Sequence, residues 1–188
     1  MRWTIPNILT LLRIALIPVF MIAYYLPVSW SHVATTAIFG LAAITDWFDG
    51  YLARRLEQTS PFGAFLDPVA DKLIVAVALI VLVQSNPTLL FVIPASIIVG
   101  REIAISALRE WMAEIGERAQ VAVSKIGKIK TTAQMTALLM LLYHEPLWVI
   151  PTQEIGMVLL YLAAGLTLWS MFVYLKAAWP LLSSQQNP

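Results

Sequence analysis

The chain has no cysteine, only two histidines and few charges: 12% of its 188 residues are Asp, Glu, Lys or Arg. Without cysteine there is neither a disulfide framework nor a thiolate metal site. The histidines, His32 and His144, fall far from the acidic residues discussed below, which argues against zinc. No Ser/Gly-rich linker or sustained repeat divides the chain. One domain is therefore expected over residues 1–182, with a polar, frayed tail over 183–188. No lipidation motif is evident. The apolar stretch from Ile14 to Val28 has no small-residue cleavage site, so a cleavable signal is not expected.

What is abundant is apolar residues, 60% of the chain, at a mean hydropathy of +0.78. A soluble domain is nearer half apolar and a quarter charged, so the composition predicts a polytopic, all-α membrane protein. A spanning helix needs about 20 mostly apolar residues. Six segments qualify, near residues 8–26, 31–56, 61–84, 88–112, 119–143 and 152–179. Ser60-Pro61 reads as an N-cap followed by a first-turn proline. Asn86-Pro87 and Glu145-Pro146 read as breaks. Trp30, Trp148 and Trp179 fall near helix ends, where aromatic rings favour the membrane interface. The turns at 27–31, 85–88 and 144–152 carry no Lys or Arg. Arg2, Arg54, Arg55, Arg109, Arg118, Lys125, Lys128, Lys130 and Lys176 fall toward the other side. The positive-inside rule then places both termini, and the connection between the second and third helices, in the cytoplasm.

Against this apolar background stand four aspartates: Asp46 and Asp49 in D-W-F-D-G-Y-L-A-R, and Asp67 and Asp71 in G-A-F-L-D-P-V-A-D. A carboxylate at membrane depth is costly and marks function by default. Asp46, Asp49, Gly50 and Ala53 share one stripe of the second helix; Gly63, Asp67 and Asp71 share one of the third. Asp46 lies about 12 residues before the turn and Asp71 about 13 after it, so at about 1.5 Å per residue the two reach similar depth. Four such carboxylates cannot all ionise without a cation. Oxygen-only donors suit Mg²⁺, Mn²⁺ or Ca²⁺, as one ion or a pair. Gly50 and Gly63 leave room for a ligand or facing backbone, and Arg54 offers a guanidinium fork to a diphosphate.

The pattern D-x-x-D-G-x-x-A-R, eight residues, then G-x-x-x-D-x-x-x-D, without departure, resembles the signature of the CDP-alcohol phosphotransferase family. The resemblance implies six transmembrane helices and a divalent-metal enzyme that moves a phosphatidyl-type group from a CDP-linked donor to an alcohol and releases CMP. It implies that Asp46, Asp49, Asp67 and Asp71 hold two Mg²⁺ or Mn²⁺ ions, with Asp71 also the general base. It implies a CDP-binding surface of Asp49, Gly50, Ala53, Arg54, Ser60 and Gly63. The segment P-N-I-L-T-L-L-R, Pro6 to Arg13, resembles the family's other recurring segment near the nucleotide and adds Asn7 and Thr10. Asn7 also reads as a helix cap, and Thr10 as a backbone-bonded helix residue.

Lys125, Lys128 and Lys130 crowd the start of the fifth helix, an unfavourable place for cations unless an anion binds there. Arg101 and Arg109 add two more on the fourth. The bland readings are lipid anchoring for the lysines and, for Arg101, a pair with Glu102, although adjacent residues point apart on a helix. The functional reading is a pocket for an acceptor carrying a phosphate. G-R-E-I, I-S-A-L-R-E-W and K-x-G-K-x-K-T-T-x-Q resemble the branch of the family that uses sn-glycerol 3-phosphate, with CDP-diacylglycerol as donor, in a bacterial cytoplasmic membrane with the site facing the cytoplasm. The mixed-charge stretch from Arg109 to Arg118 reads as a solvated helix extension. No nucleic-acid partner is implied, and small-residue helix faces permit a homodimer. The rival readings are the same fold with phosphatidylglycerol, serine or inositol phosphate as acceptor, a divalent-cation transporter, and a scaffold whose polar cluster only fixes helix pairing.

Overall fold

The computed structural model describes the backbone of residues 5–55, 61–114 and 125–184. Ser60 lies outside the described residues, as do the side chains of Asp49, Gly50, Ala53, Arg54, Lys125 and Lys128. The chain is all-helical: α1 (Ile5–Tyr25), α2 (Ser31–Arg55), α3 (Pro61–Ser85), α4 (Leu89–Glu114), α5 (Lys125–Tyr143) and α6 (Thr152–Ser184). Among the described residues there is no sheet, only an isolated bridge between Leu147 and Ile150. By length and composition, α1 from Asn7 to Tyr25, α4 and α6 from Thr152 to Lys176 can each cross a membrane. Helices α2, α3 and α5 carry the acids and lysines singled out above, and those charges lower their apolar content.

The boundaries follow local chemistry. Helix α1 starts at Ile5, earlier than residue 8, because Pro6 suits a first turn whose N–H groups have no helical acceptor. Asn7 is therefore inside the helix and not its cap, which corrects the capping reading. Helix α4 extends to Glu114, and α6 runs past Trp179 and Pro180 to Ser184. Between α5 and α6 the chain reverses tightly through positive-φ backbone at His144 and Trp148. The Thr152 hydroxyl closes that turn by donating to the Glu145 carbonyl at 2.8 Å.

The helices form two compact units, Met1–Ser85 with Leu138–Gly156, and Asn86–Ala137 with Met157–Pro188. In the first, α1 packs on both α2 and α3. Phe20 and Phe39 are fully buried with ring centroids 6.3 Å apart. Ala42, Ala70 and Ala78 are buried as well, and such small residues let backbones approach where lipid provides no hydrophobic drive. At the end of α1 away from the aspartates, Tyr24 donates to the Val81 carbonyl at 3.2 Å and lies 2.5 Å from the Ser85 hydroxyl. Tyr25 donates to Gln84 at 2.9 Å. The α5–α6 turn contributes a stacked His32–His144 pair, 5.2 Å between centroids.

The second unit pairs α4 with α6 through Tyr161, which donates to the Leu90 carbonyl at 2.7 Å. Ile98, Ile105, Leu160, Ala163 and Ala164 are buried in it.

Candidate active site

Helix α1 organises the acidic residues. Its Thr10 and Arg13 lie three residues apart, on one face, and both side chains are sealed from solvent, Arg13 at 1% exposure. Thr10 donates to Asp67 of α3. The Nη1 atom of Arg13 donates to Asp46 of α2 at 2.9 Å and also to Asp71 of α3. Two carboxylates from different helices thus converge on one positive atom. Their depths match, as the residue count from the turn requires. Asp46 and Asp71 are 47% and 43% exposed, so the acids open outward while the arginine is closed in beneath them. Asp67 is partly exposed one turn before Asp71, and Gly63 is buried in the first turn of α3. Pro68 follows Asp67 inside the helix and leaves the carbonyl four residues earlier without its ladder donor.

Helix α1 thus bonds all three described acids, Asp46 and Asp71 through Arg13 and Asp67 through Thr10. Asn7 is buried on the same helix, two turns before Arg13. Thr10 is bound to a site carboxylate and not merely to its own backbone. Asp49, Gly50, Ala53 and Arg54 fall on the last turns of α2, but their side chains, and all of Ser60, are outside the described residues.

The cations read as the acceptor pocket belong to the second unit. Arg101 donates to Glu102 at 2.8 Å and to Ser170 of α6 at 3.1 Å. Lys130 donates to the same Glu102 oxygen at 2.9 Å. The adjacent-residue pair therefore forms, contrary to the expectation that the two point apart. Glu102 and Arg101 have stems long enough to reach round the helix, and the acid is shared with Lys130. Arg109 donates to the Tyr174 hydroxyl at 2.9 Å, its guanidinium 5.2 Å from that ring's centroid. Lys125 and Lys128 lie on the first turn of α5, their side chains outside the described residues. Among the described residues, the buried atoms Arg101 Nε, Gln134 Oε1 and Thr167 Oγ1 have no hydrogen-bond partner.

Sequence reasoning left Arg13 and Glu102 out of the site. Each is a charge within an apolar helix, a signal strong enough to have included them. Ser170 and Tyr174 gave no such signal, since hydroxyls in a membrane helix are ordinary.

The sequence pattern of the CDP-alcohol phosphatidyltransferase family matches residues 3–169. The chain belongs to that family. It is 55% identical over 184 residues to a Pseudomonas fluorescens protein, covering 96% of this chain and 92% of the relative. It is 54% identical over 178 residues to proteins of Shigella flexneri serotype 5b and Escherichia coli K12, covering 95% of this chain and 96% of each. All three relatives are named CDP-diacylglycerol–glycerol-3-phosphate 3-phosphatidyltransferase.

Members of the CDP-alcohol phosphatidyltransferase family generally use divalent metal ions. The residues here suit that requirement in donor chemistry. Two carboxylate oxygens already converge on a cationic atom, a third acid lies one turn away, and all donors are the hard oxygens that divalent cations of this class prefer. Among the described residues, no group of three or more His, Cys, Asp or Glu side chains is close enough together to hold a metal ion.

Proposed function

We propose that this protein transfers the phosphatidyl group of CDP-diacylglycerol to sn-glycerol 3-phosphate, giving phosphatidylglycerophosphate and CMP. The observation that carries this reading is the near full-length identity, 54–55%, to relatives bearing that activity in their name.

In the proposed mechanism, Asp71 accepts the proton of the acceptor hydroxyl, a role that requires hydrogen-bond reach. The freed oxygen attacks the phosphorus bearing the diacylglycerol. The bond from that phosphorus to the bridging oxygen breaks, and CMP departs with that oxygen. Asp46, Asp49, Asp67 and Asp71 would hold two ions, Mg²⁺ or Mn²⁺. When bound, these supply charge neutralisation to the diphosphate and the departing CMP. Arg54 binds the diphosphate through its forked donors. Asn7, Thr10, Asp49, Gly50, Ala53, Ser60 and Gly63 complete the CDP surface. Thr10 keeps Asp67 in place through its hydroxyl.

Arg101, Arg109, Lys125, Lys128 and Lys130 are proposed to hold the phosphate of the acceptor. The unpartnered Arg101 Nε favours this assignment, because a buried donor without an acceptor is costly and a phosphate oxygen would supply one. Glu102 tempers the positive charge of Arg101 and Lys130 and holds both in place.

The remainder of the proposal is topological. All six helices are read as spanning the bacterial cytoplasmic membrane as one domain, with both termini and the active site on the cytoplasmic side.

The test is CMP release by purified protein given CDP-diacylglycerol, Mg²⁺ and a panel of acceptors. Turnover is expected with glycerol 3-phosphate and not with serine, inositol phosphate or phosphatidylglycerol. Equal turnover with any of these would overturn the acceptor. Asp71→Asn is expected to lower kcat by roughly 10²–10⁴-fold, the usual range for a general base, while the protein still folds. Full activity in that variant would favour a purely structural role for the acids.

A further inference from the structure

The unusual member of the acidic site is the arginine beneath it. Burying a guanidinium costs several kcal/mol unless it is paired and hydrogen-bonded, and the cost is recovered only with good geometry. Arg13 is closed off from solvent, and its Nη1 atom donates to acids on two other helices. Asp46 and Asp71 keep an exposed side, 47% and 43% of each side chain, where an incoming cation would arrive, while Arg13 holds them from the buried side.

We propose that Arg13 is a resident counter-cation of the metal site. Before a divalent ion binds, it holds Asp46 and Asp71 together. Once an ion arrives, it competes for the same carboxylate oxygens and repels the ion, so metal is held more weakly than four bare acids would hold it. This rests on the reading of the aspartates as the metal site. Arg13 acts through the acids; it is a positioning residue. An arginine suits the task because its planar guanidinium holds its N–H donors in fixed directions, so that Nη1 can bond acids of two helices at once, whereas an ammonium is a freely rotating point of charge.

This arrangement predicts an opposite sign from ordinary structural support. Removing a residue that merely positions ligands weakens metal binding. Removing a competing cation strengthens it, while leaving the metal-free protein with mutually repelling acids.

The experiment measures Mn²⁺ binding by electron paramagnetic resonance, and melting temperature with and without EDTA, on purified full-length protein in detergent without substrates. In Arg13→Gln, Mn²⁺ is expected to bind roughly tenfold or more tightly, the loss of a like charge a few ångströms away. EDTA is expected to lower the melting temperature of Arg13→Gln far more than that of the wild type. Arg13→Lys, which keeps the charge on a shorter side chain without the fixed donor directions of a guanidinium, is expected to fall between the two. Should Arg13→Gln be recovered only with Mn²⁺ present, that is the expected metal dependence, and the affinity in Arg13→Lys then decides. Unchanged or weaker Mn²⁺ binding in both variants overturns the proposal while leaving the metal site standing. Wild-type Mn²⁺ binding that persists unaltered in Asp67→Asn overturns the metal site, and this proposal with it.

Discussion

Arg13 and Glu102 do the same thing at two places in the chain: each is a charge within an apolar helix, Arg13 buried and Glu102 26% exposed, that ties together opposite charges from its surroundings. Arg13 bonds to Asp46 and Asp71; Glu102 accepts from Arg101 and Lys130. Such pairs contribute little net stability when intact and cost much when halved, because the survivor is left charged and unpaired. Lys130 is the clearer case, with its side chain only 9% exposed. Glu102→Gln leaves Arg101 and Lys130 facing each other without a neutralising anion and is expected to destabilise the protein by about 3–5 kcal/mol. Lys130→Met alone leaves Glu102 with Arg101 and is expected to cost less. The double variant Glu102→Gln/Lys130→Met should be less destabilised than the sum of the two, a coupling that denaturation of all four proteins measures. Strict additivity would show that the 2.9 Å contact carries no energy.

At the scale of the helices, much was legible beforehand. The helices end within a few residues of where apolar length, Asn86-Pro87 and Glu145-Pro146 placed them, apart from α6, which runs on from residue 179 to Ser184. The start of α5 borders residues outside the described ones. The matched depth of Asp46 and Asp71 followed from counting residues along helices of fixed rise. What counting could not provide was the part played by α1. Periodicity identifies which residues share a face, but not which third helix that face meets, so Thr10 and Arg13 were read apart from the carboxylates they bond. The close approach of α5 and α6 was likewise hidden, because a glycine in an apolar helix has many causes. A Cβ on Gly156 would sit 2.8 Å from Leu141 Cγ and 3.3 Å from Met140 Cβ. Leu141 is fully buried and cannot retreat. Gly156→Ala is therefore expected to cost about 1–3 kcal/mol as an overpacked contact. Gly165, on the same helix, has open space where a Cβ would sit, with nothing within 4 Å. Gly165→Ala is therefore expected to be neutral or to gain up to about 1 kcal/mol from helix propensity. Thermal denaturation of the two variants side by side separates packing from propensity; equal shifts would mean the α5–α6 approach is looser than these distances.

For the whole molecule, the absence that opened the sequence becomes a tool. With no native cysteine, any single cysteine introduced reports its own side of the membrane without background. Helix α6 offers the decisive pair of positions. It has 33 residues, about 50 Å at 1.5 Å per residue, longer than the roughly 30 Å hydrocarbon core. Its start follows the turn that holds Trp148, 95% exposed and free of nearby Lys or Arg. Lys176 lies 24 residues after Thr152, about 36 Å further along the same helix. If the positive charges mark the cytoplasmic face, the two positions lie on opposite sides. A membrane-impermeant maleimide added to intact spheroplasts is expected to label Trp148→Cys and to leave Lys176→Cys unlabelled until the membrane is permeabilised. The reverse pattern would invert the orientation and put the acidic site on the side away from nucleotide. Labelling of both positions in intact cells would mean that α6 does not cross the membrane, despite its length and apolar composition.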